Sequence, residues 1–317
     1  MAGIELYAPR LARHRRTWSV AAVVLGAVFV VGGQILGVIP GIKLGLMGAD
    51  GTTTGWVGDF FQLVVMFGIT ALLLSAWVLF FERRPLSAIG FNDHGLKRFV
   101  RGYAIGLGFL LATVGVIWVA GGYRIEAGGV FAATGAVAGL LPIGALLLGF
   151  IVQGSTEEIV FRGWLMQLIA SRHGPVIALI VNAVLFGLAH AGNTEPTKEL
   201  ALGVVNIVLF GTFLGLYAAR EGSLWGVCGW HAAWNWLLGL GFGLEVSGHV
   251  LDVTPLFVDL TTTAGAPWWL TGATFGPEAS VVTTAILLLA SVWVVTRGPF
   301  KGHAKPEPVA SIEAPAT

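Results

Sequence analysis

Eight apolar runs, each near the length a helix needs to cross a lipid bilayer, limit what this chain can fold into. They lie near 18–39, 60–81, 102–121, 143–171, 174–190, 200–219, 223–243 and 279–296. About 20 residues of helix cross the hydrocarbon layer, with a range of roughly 17–25. No water is present there to satisfy an open backbone, so each run is expected to be a helix that pairs its own amides. The fourth run is the longest, and Pro142 before it suits a first helical turn. Only 11% of the 317 residues are charged and 56% are hydrophobic, whereas a soluble domain carries about 25% charged residues. The expected fold class is all-α: a polytopic membrane helical bundle of about eight transmembrane helices. The 46 glycines suit helices that pack closely in lipid.

The basic residues give an orientation. All of the 18 Lys and Arg except Lys43, Arg124 and Lys198 fall on one side of the alternating runs. That asymmetry predicts an even number of spans with both termini cytoplasmic, in the plasma membrane if the source is bacterial. Arg10, Arg13, Arg15 and Arg16 precede the first run as in a secretory signal, but the run is long enough to span and lacks a clear small-residue cleavage site. It is expected to be retained. The predicted organisation is a cytoplasmic segment at 1–17, a transmembrane bundle at 18–296 with its functional core at about 135–243, and a cytoplasmic, disordered tail at 297–317, rich in Ala, Pro and Glu after Lys301. The single Cys228 excludes an intramolecular disulfide and a Cys-rich metal site, and no basic block suggests nucleic acid. Pro267-Trp268-Trp269 reads as an interfacial anchor or a short re-entrant turn.

Ionisable residues inside such runs are expensive, about 2.5–3.5 kcal/mol each on insertion scales, and mark function. Three patterns stand out: Glu157-Glu158-Ile159-Val160-Phe161-Arg162, Phe186-Gly187-Leu188-Ala189-His190, and His231-Ala232-Ala233-Trp234-Asn235. Glu158 and Arg162 have the i,i+4 spacing of a helical ion pair, acid first. Glu157 is turned about 100° away on the helix and is left to face a cavity. At about 1.5 Å per residue, Glu157 lies roughly 21 Å from Ser171, His190 roughly 24 Å from Gly174 and Asn235 roughly 18 Å from Ser223, so all can meet in one layer of the bilayer. A carboxylate and two imidazoles in a wet pocket suit hydrolysis. Glu157 can act as general base; alternatively Glu157, His190 and His231 can hold a Zn²⁺ that acidifies water. Asn235 and one histidine can donate to an oxyanion. A His-Glu-x-x-His helix is absent, so an ordinary zincin is excluded. Phe186 is expected to pack, Asn182 and Asn206 to join helices, and Gln153, Ser155 and Thr156 to satisfy backbone or pocket water. His14, His94, His173, His249 and His303 are expected to be solvated.

Taken together and in order, Glu-Glu-x-x-x-Arg, Phe-x-x-x-His and His-x-x-x-Asn resemble the CPBP group of intramembrane metalloproteases, which includes type II CAAX prenyl endopeptidases and bacterial relatives linked to bacteriocin self-immunity. The resemblance covers about 155–236. It implies that Glu157 and His190 activate water, that His231 and Asn235 stabilise the tetrahedral oxyanion, and that Glu158 and Arg162 support them. The expected activity is an intramembrane endopeptidase acting on a peptide or protein substrate, lipidated or not, amid membrane lipid. Two other functions stay open at this point: a proton-coupled transporter, and a non-catalytic membrane immunity or scaffold protein using the same pocket.

Overall fold

The computed structural model describes residues 3–132, 136–298, 300 and 302–304. Its helical rods follow the apolar runs. They are α1 (Ser19–Lys43), α2 (Gly55–Phe81), α3 (Gly95–Val119), α4 (Val137–His173), α5 (Pro175–Ala189), α6 (Lys198–Glu221), α7 (Trp225–Trp236) and α8 (Val281–Thr296). Five of these, α1 to α4 and α6, are long and apolar enough to cross a membrane, and α5 and α8 are shorter apolar helices. The chain is therefore an integral membrane helical protein. α2 and α3 begin earlier than their apolar runs, so Lys97, Arg98 and Arg101 ride on the first turns of α3. π-turns interrupt α2 at Gln62–Met66 and Trp77–Phe81 and α4 at Ile159–Leu165, and Leu237–Gly241 prolongs α7 in the same form.

Burial is inverted relative to a water-soluble bundle. On α1 the large residues Val20, Val24, Val28, Ile35 and Ile39 are exposed, while Ala22, Gly26, Gly33, Gly37 and Gly41 are buried. Lipid is as apolar as valine, so hydrophobicity cannot pull these helices together; close packing does. A Cβ on Gly33 would lie 2.0 Å from Thr70 Oγ1 and 2.9 Å from the Met66 carbonyl, which is how closely α1 rests on α2. α3 and α7 meet the same way, Gly102 against the Gly226 carbonyl and Gly229 against that of Phe99.

Two small antiparallel pairs, β1 (Ile4–Glu5) with β4 (His303–Ala304) and β2 (Tyr123–Gly128) with β3 (Val258–Thr262), depart from a purely helical expectation. The first pair ties the described part of the 297–317 tail to the N-terminal segment; residues 305–317 lie outside the described residues. The N-terminal segment is more than a solvated leader. Glu5, Leu6, Tyr7 and Arg10 are buried, Arg10 pairs with Glu5 at 2.9 Å, and the Leu6 amide donates to Gln167 Oε1 at 2.8 Å. Residues 242–280 connect α7 to α8 and pack against α6 and the cavity. Asn206, deep in α6, anchors this stretch by donating to the carbonyls of Glu278 and Ser280 at 2.7 and 2.9 Å, and Trp268–Thr271 forms one short helix within it.

Replacing Gly33 by Leu is expected to lower stability by about 1–3 kcal/mol through overpacking. Gly68→Ala, where an added Cβ meets nothing within 4 Å, should leave stability unchanged. Thermal unfolding in detergent distinguishes the two.

Candidate active site

α4 carries both acids into the bundle, and the π-turn begins immediately after them at Ile159. The extra residue of such a turn re-aims side chains and is common at functional sites. Glu157 turns to a cavity of about 740 Å³ and Glu158 turns away from it into the packed core. The i,i+4 pair forms: Arg162 Nη1 donates to Glu158 Oε1 at 3.1 Å, with both side chains fully buried. Arg162 also lies 4.0 Å from the centre of the Phe186 ring, a cation–π contact. From beneath, the Tyr7 hydroxyl donates to the Arg162 carbonyl at 2.8 Å, so the N-terminal segment braces the π-turn.

α5 ends at Ala189, and His190 sits as its C-terminal cap rather than within the helix. His190 Nδ1 lies 2.8 Å from the Phe186 carbonyl. A carbonyl can only accept, so Nδ1 carries the proton and Nε2 turns its lone pair outward. α7 delivers His231 and Asn235 from one face. It can do so because Gly154 on α4 has no side chain: a Cβ there would stand 3.2 Å from His231 Cγ. His231 Nδ1 donates to Glu158 Oε1 at 2.8 Å, the oxygen that Arg162 also approaches. Its Nε2 therefore faces the cavity as well.

These constraints converge on Glu157 Oε2. His231 Nε2 is 3.7 Å from it and His190 Nε2 is 4.0 Å from it, and Oε2 has no hydrogen-bond partner among the described residues. The second carboxylate oxygen, Oε1, accepts from Gln153 Nε2 at 2.6 Å, and Gln153 Oε1 accepts from Asn235 Nδ2 at 3.0 Å. Gln153 thus links the general-base candidate to the oxyanion-donor candidate. The sequence alone points Gln153 only to backbone or pocket water. Its i,i+4 spacing to Glu157 was the available signal.

Glu157, His190, His231, Asn235 and Phe186 all line the cavity, and Glu158 and Arg162 stand behind them. Phe186 packs as expected, edge-on to His190 at 4.8 Å between ring centres. Asn206 joins elements as expected, whereas both polar atoms of the buried Asn182 lack partners among the described residues. His249 is exposed and also lines the cavity, and His173 Nε2 meets Ser19 Oγ at 3.3 Å.

Two imidazole nitrogens and a carboxylate oxygen are the donor types of a zinc site. Both imidazoles also engage, through Nδ1, the kind of group that orients metal-binding histidines, a carbonyl for His190 and a carboxylate for His231. Among the described residues, no three His, Cys, Asp or Glu side chains are drawn together as a ready metal cage. The donor chemistry therefore fits Zn²⁺ at Glu157, His190 and His231, with closure around an ion still required.

Glu158→Ala should destabilise the fold by about 3–5 kcal/mol, because it strands the Arg162 charge in the core. Adding Arg162→Leu should recover most of that loss in unfolding measured in mixed micelles. Simple addition of the two single effects would contradict this account.

The stretch that holds these residues is similar to known proteins. Residues 139–237 match the family described as Type II CAAX prenyl endopeptidase Rce1-like, a segment containing all three motifs. Uncharacterized protein YyaK of Bacillus subtilis (strain 168) is 30% identical over 128 residues, which are 40% of this chain and 42% of that protein. The match thus spans about two-fifths of that relative's length. The stretch that carries the three motifs is thus similar to the Rce1-like type II CAAX prenyl endopeptidases over residues 139–237, about a third of the chain.

Proposed function

We propose that this protein is an intramembrane endopeptidase that hydrolyses a peptide bond of a membrane-associated peptide or protein. The observation that carries this reading is a triangle of acceptors. Glu157 Oε2 and the Nε2 atoms of His190 and His231 face one another 3.7–4.0 Å apart across the acid, while both Nδ1 atoms are committed elsewhere. Whatever occupies the space between them must bring protons or positive charge. A water does: its two hydrogens can point at two of the three acceptors, which leaves its oxygen electron-rich. Glu157 takes the proton as general base, with Gln153 holding its other oxygen in place, and returns it to the amine nitrogen as the C–N bond breaks. His190 orients the same water. As the carbonyl becomes tetrahedral, Asn235 offers its second amide N–H to the oxyanion, the first being given to Gln153. His231, once protonated at Nε2, donates there too, and Glu158 steadies its positive charge. Zn²⁺ bound by Glu157, His190 and His231 would supply Lewis-acid activation of the water.

The termini are proposed to be cytoplasmic. The charge asymmetry favours this, and the β1–β4 pairing holds the N-terminal segment and the start of the tail on one face of the bundle.

Glu157→Ala and His190→Ala should each reduce cleavage to background in membranes where the protein still inserts. Gln153→Ala should lower kcat/KM by about 10- to 100-fold, the usual range for a supporting shell. Proteomic comparison of membranes holding wild-type and Glu157→Ala protein reads the outcome and identifies substrates. Undiminished cleavage in Glu157→Ala overturns the reading.

A further inference from the structure

The cavity extends well past the acceptor triangle, and its charges are one-sided. Its ionisable lining consists of Asp59, Glu157, Glu278, His190, His231 and His249; among the described residues no Lys or Arg lines it. Arg162 is nearby but buried behind Phe186 and paired with Glu158. α5 also ends here, so the negative end of its dipole lies at the cavity. Glu278 is fully engaged: Trp234 Nε1 donates to one oxygen at 3.1 Å, and the Ser247 amide and hydroxyl donate to the other at 2.6 and 2.8 Å. Asp59 is not. It is 7% exposed, accepts one hydrogen bond, from Thr53 Oγ1 at 2.5 Å, and forms no ion pair among the described residues.

Its position along the bundle can be set. Thr156 Oγ1 donates to the Phe67 carbonyl at 3.3 Å, which puts Glu157 at the level of Phe67 on α2. Asp59 stands eight residues nearer the start of that helix, about 12 Å along the axis at 1.5 Å per residue. An extended peptide rising about 3.3 Å per residue covers that in three to four residues.

A carboxylate entering this cavity would meet other carboxylates and a helix C-terminus in a low-dielectric setting, with no cation to receive it. A basic group would meet Asp59. We propose that the cavity selects a neutral or cationic peptide segment over a free C-terminal carboxylate, and that Asp59 is the specificity residue, receiving a basic side chain three to four residues from the scissile bond. This rests on the endopeptidase reading above for the position of that bond. His249, which also lines the cavity, is less basic than an ordinary imidazole, chiefly through burial and then through His190, with Asp59 acting in the opposite sense.

The test uses the full chain in lipid nanodiscs and a set of otherwise identical apolar peptides. A single Lys, Gln or Glu is moved along the peptide, and the C-terminus is either free acid or amide. Cleavage is read with wild type. Binding is read separately by photo-crosslinking to Glu157→Gln protein. Lys three or four residues from the bond should raise kcat/KM about 10- to 100-fold over Glu, the range of a charge-assisted hydrogen bond. The amide should be cleaved at least as well as the acid. Asp59→Asn should erase the Lys preference and Asp59→Lys should invert it. Glu157-dependent cleavage that ignores peptide charge, or prefers the free acid, overturns this proposal and leaves the endopeptidase standing. Lys-selective crosslinking that Asp59→Asn removes, without cleavage of any peptide, overturns the endopeptidase and leaves the charge selectivity. Loss of both overturns both.

Discussion

One carboxylate oxygen organises the interior of this protein. Glu158 Oε1 receives Arg162 from its own helix and His231 from α7. Two rods that share only apolar surface with lipid are thereby joined through a charge no bilayer would tolerate alone. Removing either partner of such a buried charge is strongly destabilising. The same bond decides which nitrogen of His231 faces the cavity. Fold and candidate chemistry therefore depend on one contact, and neither can change without the other.

The surroundings protect that contact by close packing rather than by hydrophobic drive. Gly154 lets His231 lie against α4, and glycines on α3 and α7 bring those backbones into touch. The Phe186 ring caps the Arg162 guanidinium on one side, and Tyr7 holds the carbonyl of the same residue from the other. A segment that precedes the first span by sequence thus supports the π-turn at the centre of the bundle. On the opposite side, Glu278 and Asn206 fasten the 242–280 stretch, whose residues Val246, Ser247 and His249 help close the cavity.

The division of labour between the adjacent acids follows from helical geometry. One residue of offset turns Glu157 toward the cavity and Glu158 toward the core, so Glu157 keeps Oε2 open to the cavity while Glu158 takes both Arg162 and His231 on Oε1. Gln153 then links Glu157 to Asn235, which places the base and the oxyanion donor in a common hydrogen-bonded chain.

The sequence by itself determined the helical spans, because an unpaired backbone cannot exist in lipid and only runs of sufficient length can cross it. It also determined the Glu158–Arg162 pair and the shared face of His231 and Asn235, since i,i+4 spacing is local. Where side chains from different rods meet was a tertiary matter. Nothing local could say that His231 would bond Glu158, that Gln153 would bridge to Asn235, or that Tyr7 would reach Arg162 across 155 positions of chain. Those contacts depend on how closely the glycine-lined helices approach and on the added residue of the π-turn, and both are set by packing between segments rather than within them.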